Sequence, residues 1–298
     1  MVRPRLVIIA ALGLDQERAL LANRTLSSAF SGWDCLLLSY ASNRTQMDAV
    51  LAAASLEQRC AVMWRARFQW GSLVNETAGV ALRTSSGGGR GDVSNARFHY
   101  SHVALVLDDI DVAPKGYERF HTRPDALVRK LEALGGAVIS PAISHAYQKE
   151  MRLHNDGDCA HVVAMLEYFV TIFTADAYAC LLRMLQAQPR GFGGHGLDAC
   201  YSAACPGRAM LLDGSVRAVH LPTPRKGKAD RSGVFVRRKQ IRAIRAHYRR
   251  LNRTCWESNG LKGHGVTARN GTQVACVGRD NSQVVMSAME ARMTEWRG

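Results

Sequence analysis

The stretch richest in possible chemistry is Ala104-Leu105-Val106-Leu107-Asp108-Asp109-Ile110-Asp111-Val112, an apolar run that ends in three carboxylates. Such a run in extended form makes a buried strand, and its acids then emerge at the C-terminal edge. In open α/β sheets that edge is where ligands bind. Asp109 and Asp111 form a DxD pair, and Asp108 extends it. Two carboxylates at this spacing can converge on one hard cation, and the cation can in turn hold a diphosphate. Left bare and buried, they would be costly. The pattern points to a metal–nucleotide site, with oxygen ligands suited to Mg²⁺ or Mn²⁺. The same acids would also suit a turn or a helix N-terminus.

Two other places carry candidate chemistry. In Gly191-Phe192-Gly193-Gly194-His195-Gly196-Leu197-Asp198 the glycines allow close approach of the backbone to a ligand, and Asp198 starts the next helical segment. A carboxylate there can accept a proton from an attacking hydroxyl, or simply serve as an N-cap. His195 reads as a surface-loop histidine. His220 closes the apolar strand Val216–Val219, where an imidazole can act as a metal ligand and favour Mn²⁺ over Mg²⁺. Taken singly, it reads as a structural histidine.

The elements that must position these residues alternate from the start, which predicts a single α/β domain. Arg5 to Leu12 reads as the first strand, with Ala11-Leu12-Gly13 as its exit loop. Gln16 to Phe30 reads as a helix, Trp33 to Tyr40 as a strand, Met47 to Leu56 as a helix and Cys60 to Trp64 as a strand. Ser85 to Asp92 is a glycine-rich loop that lacks the strand–helix setting of a phosphate-binding loop. Thr122 is the expected N-cap of a helix from Pro124 to Leu134, stopped by Gly135-Gly136. Ala137 to Ser140 and Tyr168 to Phe173 read as strands, and Thr174 caps a helix to Leu185. Met210 to Leu212 and Val216 to Leu221 read as two short strands about an Asp213-Gly214 turn. A strongly basic segment runs from Arg225 to Arg253, with Arg238, Arg242, Arg245 and Arg249 on one helical face. A last helical stretch spans Val284 to Trp296.

The 298 residues carry a formal net charge of +14, which suits acidic partners such as nucleotide phosphates, anionic glycans or nucleic acid. No apolar stretch is long enough to span a bilayer. The apolar run after Met1 is short and lacks a good cleavage site, so it reads as a core strand, not a signal peptide. The eight cysteines show no CxxC pair and read as buried thiols, with zinc disfavoured. With no visible signal, the expected location is the cytoplasm. Five sequons, beginning at Asn23, Asn43, Asn75, Asn252 and Asn270, would instead suit a Golgi or ER lumenal piece of a longer, anchored chain.

The order strand–DxD, Ile139-Ser140-Pro141-Ala142, Glu167-Tyr168-Phe169, Gly196-Leu197-Asp198 and strand–His220 resembles GT-A nucleotide-sugar glycosyltransferases. It is most similar to the glycosyltransferase-like family best known from plants, from about Tyr100 to Pro224. The chain differs from that pattern at Leu107, where an aromatic often stands, at His195 in place of tryptophan, and in an Ile-Ser-Pro-Ala segment one residue shorter. The resemblance implies a Rossmann-like mixed sheet flanked by helices over residues 1–224, with 225–298 a basic helical extension packed on it. It further implies transfer of a sugar from a nucleotide-diphosphate donor to a glycan, protein or small-molecule hydroxyl. Asp109, Asp111 and His220 would bind Mn²⁺ or Mg²⁺, Asp108 and Asp109 would support the nucleotide, and Ala11, Leu12 and Gly13 would line its pocket. Asp198 would be the base for an inverting reaction. The competing readings are a basic protein binding nucleic acid or another polyanion through Arg225–Arg253, an inactive glycosyltransferase-like scaffold, and a phosphatase that uses the same strand–DxD signal.

Overall fold

A computed structural model describes residues 4–12, 15–65, 70–78, 82–83, 97–114, 121–144, 159–163, 165–188, 194, 196–221, 231–251, 253, 255 and 274–276. Gly13, His195, the Ser85–Asp92 segment and the Val284–Trp296 stretch lie outside the described residues.

The chain opens with β1 (Arg5–Leu12), α1 (Gln16–Ser28), β2 (Asp34–Ser39), α2 (Arg44–Ala53) and β3 (Ala61–Trp64). A short helix α3 (Trp70–Glu76) and a small hairpin of β4 (Leu82–Arg83) and β5 (Arg97–Phe98) follow. Then come β6 (His102–Leu107), β7 (Ile110–Asp111), α4 (Pro124–Ala133), β8 (Val138–Ser144), β9 (Cys159–Val163), β10 (Val170–Thr174) and α5 (Ala175–Gln186). The remainder is α6 (Leu197–Ala204), β11 (Met210–His220), α7 (Arg231–Arg250) and β12 (Val274–Cys276).

One mixed sheet runs in the order β12-β9-β11-β8-β10-β6-β1-β2-β3, with β7 attached to β11. Strands β3, β2, β1 and β6 are mutually parallel, whereas β10 runs against both β6 and β8. Two reversals bring β8 back to the direction of β6, and β11 pairs parallel to β8. The C-terminal ends of β1, β6 and β11 therefore share one edge of the sheet. The central strands are apolar on both faces, as β1 and β6 show: Leu6 to Ala10 and Val103 to Val106 are all buried, as strands covered by helices on both sides must be.

The helix boundaries follow their caps. Asp15 accepts hydrogen bonds from the Glu17 and Arg18 amides, and the Asn43 and Thr174 side chains do the same for α2 and α5. Thr122 does not cap α4; Arg123 holds that position without a side-chain bond, and Pro124 supplies the first-turn geometry. Thr122 is buried instead, facing the Arg217 carbonyl.

Two expectations are corrected. Asp213-Gly214 does not reverse the chain: β11 is one strand, and residues 214–216 form an irregularity between the pairs Asp213↔Pro141 and Arg217↔Ala142. The reason lies in Asp213, which is 2% exposed. It accepts from the Ser215 amide and hydroxyl at 2.9 and 2.6 Å, and Lys130 Nζ meets its other oxygen at 2.6 Å. An aspartate held this way folds a bulge inside a strand. β8 likewise continues through Pro141, which lies beyond the Val138–Ile139 stretch paired with β10.

The cysteines are not a set of buried thiols. Disulfides join Cys35 to Cys60, Cys180 to Cys205, and Cys200 to Cys255. The sequence offers no local spacing for these pairs because topology makes them. The β2–β3 register that aligns Leu36 with Ala61 brings Cys35 opposite Cys60. The Cys200–Cys255 bond ties α6 to the chain after α7, whose Ile244 and Tyr248 are buried in the core.

Candidate functional site

Strand β6 delivers the acids to the sheet edge. The chain then turns at Asp108-Asp109 and forms β7, which lies antiparallel against the end of β11, with His220 opposite Ile110 and Val219 opposite Asp111. The Leu221 amide donates to the Asp109 carbonyl at 2.9 Å, which locks this crossing. His220 Nε2 consequently sits 3.2 Å from Asp109 Oδ2. Two residues 111 positions apart, singled out for different reasons, meet in one place.

The His220 ring stacks on Phe169, with centroids 4.7 Å apart and an interplanar angle of 19°. Phe169 precedes β10 at the same edge, and its carbonyl accepts from the Leu107 amide. The stack fixes the ring plane, so one nitrogen faces the carboxylate. The other Asp109 oxygen, Oδ1, is buried and has no hydrogen-bond partner among the described residues. An orphaned anionic oxygen beside an imidazole nitrogen is a donor set that fits a borderline-hard divalent ion such as Mn²⁺.

Helix α1 supplies what the sequence analysis missed. Arg18 Nη1 lies 3.1 Å from Asp108 Oδ1 and 3.7 Å from Asp109 Oδ2, and Arg24 Nη2 lies 2.7 Å from Asp111 Oδ2. The signal was present in the topology. A helix that follows the strand beside β6 must start at the acid-bearing edge, so its arginines are the nearest counter-charges. Asp111 also accepts from the Ala113 amide at 3.1 Å, and is thus fully engaged. Among the described residues no group of three or more His, Cys, Asp or Glu is arranged around a common point as a metal cage. Asp109 and His220 come together; Asp111 is paired with Arg24.

Electrostatics set Asp108 apart. Burial pushes its carboxyl up to about 7 from 3.8; Arg18 opposes the rise and Asp109 adds to it. Burial lowers the Arg18 guanidinium, but Asp108 and Asp109 more than offset this, leaving it raised. Tyr40, just past β2 at the same edge, is raised by burial and then by Asp108. It is 42% exposed, a large aromatic surface beside the acids.

Ala11 and Leu12 end β1 at this edge, where Ala10 aligns with Leu107 and Leu12 with Ser39. Asp198 is the second residue of α6, not its cap. Gly196 caps the helix with φ 91°, and a side chain there would press on Ile244 Cγ2 at 3.0 Å. Asp198 Oδ1 accepts from the adjacent Ala199 amide at 2.9 Å. Asp198 acts electrostatically on Tyr168, in the segment before β10. Tyr168 is buried and raised well above its usual range, by burial first and then by Tyr201, Asp198 and Tyr248, while its neighbour Phe169 carries the His220 stack.

On α7, Arg238, Arg242 and Arg249 are exposed and Arg245 is half-buried, with Ile244 and Tyr248 turned into the core. Among the described residues no helix is long and apolar enough to cross a membrane.

No family model matches the sequence, and no curated protein matches it. Solved structures do. GalNAc-T7, solved with UDP, GalNAc and Mn²⁺, is 9% identical with a TM-score of 0.50, over 83% of this chain and 49% of that one. The mannosyltransferase PcManGT from Pyrobaculum calidifontis, solved with GDP-Man and Mn²⁺, is 13% identical with a TM-score of 0.48, over 84% and 65%. The 4-diphosphocytidyl-2C-methyl-D-erythritol synthase from Anaerococcus prevotii is 10% identical with a TM-score of 0.40, over 80% and 96%. The chain spans about half the length of GalNAc-T7. The likeness to GalNAc-T7 shows the fold: a GT-A, Rossmann-like mixed α/β sheet flanked by helices.

Proposed function

We propose that this chain is a glycosyltransferase that moves a sugar from a nucleotide-diphosphate donor to an acceptor hydroxyl, assisted by a divalent cation at Asp109 and His220. The observation that carries the proposal is the pairing of His220 Nε2 with Asp109 Oδ2 at 3.2 Å, next to the orphaned Asp109 Oδ1, on the C-terminal edge of the sheet. The GT-A fold adds support at the level of architecture, and the Gly196-Leu197-Asp198 and Ile-Ser-Pro-Ala motifs extend the resemblance to the plant-type glycosyltransferase-like family.

In this reading Asp109 and His220 would hold the cation, and Asp111, paired with Arg24 here, would be the third ligand of the DxD motif. The bound cation would supply charge neutralisation for the departing diphosphate. Arg18 and Asp108 would border the nucleotide, and by the resemblance Ala11, Leu12 and Gly13 would line its pocket. Asp198 accepts the proton of the attacking hydroxyl, an assignment that belongs to an inverting reaction. Residues 1–224 form the transferase domain, and 225–298 a basic extension packed on it. The buried Ile244 and Tyr248 and the Cys200–Cys255 bond support the packing of α7 on that domain, and β12 joins the sheet itself beside β9. The exposed arginines of α7 suit an acidic acceptor surface.

Calorimetry of UDP and GDP binding with and without Mn²⁺ tests the proposal in the parent and in Asp109→Ala/Asp111→Ala. Binding that needs Mn²⁺ and disappears in the variant is the expected result. Equal, metal-independent affinity in both proteins would overturn it.

A further inference from the structure

We propose that Asn43 is an N-glycosylation site, modified while the chain matures in an oxidising compartment. Among the described residues disulfides join Cys35 to Cys60, Cys180 to Cys205 and Cys200 to Cys255, and no cysteine is free; such bonds form and persist where thiols are not kept reduced. In eukaryotic cells the compartment that forms them is also the one in which sequons are read. This favours a lumenal or secreted chain over the cytoplasmic expectation.

The sequons differ sharply in what the fold offers. Asn43 and Thr45 are both exposed, at the turn between β2 and α2. The Asn43 Oδ1 accepts from the Gln46 amide at 3.1 Å, which fixes the side chain by its oxygen and leaves Nδ2 as the reacting atom. The intervening Arg44 is drawn aside, with Nε 2.9 Å from Asp48 and the guanidinium 5.7 Å from the Trp64 ring centroid. In two other sequons the required threonine is inaccessible. Thr25, which completes the Asn23 sequon in mid-α1, is 2% exposed. Thr77, which completes the Asn75 sequon, is 0% exposed and lies 2.6 Å from the Tyr178 hydroxyl, while Asn75 Oδ1 is itself buried. The Asn252 and Asn270 sequons include residues outside the described ones.

The co-reactant is a lipid-diphosphate-linked oligosaccharide. Asn43 Nδ2 bonds to the anomeric carbon of its first sugar and loses one proton, and the lipid diphosphate departs with the electron pair of the broken glycosidic bond. No oxidation or reduction occurs in this step.

The test is expression behind a cleavable secretion leader in a eukaryotic host, followed by peptide mass spectrometry before and after peptide-N-glycosidase. Alongside the parent stand Thr45→Ala, which removes the sequon but keeps the Asn43 cap, and Thr45→Ser, which keeps both. Disulfide mapping reports folding in each protein. The expected result is a glycan on Asn43 in the parent and Thr45→Ser, none on Asn43 in Thr45→Ala, and the same disulfides in all three. An unmodified Asn43 in correctly bonded parent protein would overturn the proposal. So would modification confined to Asn23 or Asn75.

Discussion

Asp108→Asn should stabilise the metal-free protein at pH 8 and make no difference near pH 4. The Asp108 side chain is 6% exposed, and burial holds its carboxyl at about 7 against an ordinary 3.8, in spite of Arg18 at 3.1 Å. An acid whose folded-state value is raised binds its proton more tightly in the folded chain. The stabilisation from the protonated form is therefore complete below the unfolded value and is lost as pH rises through the folded value. The window runs from about pH 4 to pH 7. Its height is the gap between 7 and 3.8, about three pH units at 1.36 kcal/mol each, or about 4 kcal/mol. Asparagine mimics the protonated acid: it keeps an oxygen for Arg18 and carries no charge to desolvate. At roughly 2 °C per kcal/mol for a chain of this size, the variant should melt about 8 °C above the parent at pH 8, with the curves converging toward pH 4. Thermal melts in chelator, followed by far-UV circular dichroism at half-unit pH intervals, measure this directly. A variant that melts at or below the parent at pH 8 would refute the reasoning. A constant offset across the window would do the same, since it would show that the charge of Asp108 is not what burial penalises.

Two further outcomes follow from single contacts. His220→Ala removes the imbedded nitrogen beside Asp109 and the partner of the Phe169 stack, and should weaken Mn²⁺-dependent UDP binding by at least roughly tenfold in calorimetry while leaving the far-UV spectrum unchanged. Lys130→Met strands the carboxylate of Asp213, which is 2% exposed, and should cost about 3–5 kcal/mol in urea unfolding at pH 7; adding Asp213→Asn should recover most of it.

The elements were largely legible from the sequence because their signals are local. Thr174 caps α5 by reaching three residues forward, and the apolar runs of β1 and β6 need no knowledge of their neighbours, whereas α2 starts at Arg44 behind an Asn43 cap, three residues before the expected Met47. What misled was local chemistry overruled by distant partners. Asp213-Gly214 carries a turn signal, yet Lys130, 83 residues earlier, meets the aspartate and turns the signal into a bulge. The cysteine pairs, separated by 25 or 55 residues, exist only once the strand and helix neighbours are known. The meeting of Asp109 with His220 was anticipated through motif order alone. No periodicity contains it, because it depends on β10 reversing twice between β6 and β8 so that β11 ends at the same edge.

Burying bare carboxylates is costly, and the structure divides that cost in a way the sequence did not show. Arg18 serves Asp108 and approaches Asp109, and Arg24 serves Asp111. Two guanidiniums against three acids leave one formal negative charge on the cluster, before any proton on His220 or Asp108. Burial cost by itself therefore calls for cations, and arginines meet most of that demand. What they do not meet is concentrated on Asp109: one of its oxygens faces an imidazole and a guanidinium at 3.7 Å, and the other faces no donor among the described residues. The case for a bound cation thus rests on one oxygen of Asp109 and not on the DxD pattern as a whole. That makes Asp109 the residue whose substitution separates a metal site from an arginine-neutralised one.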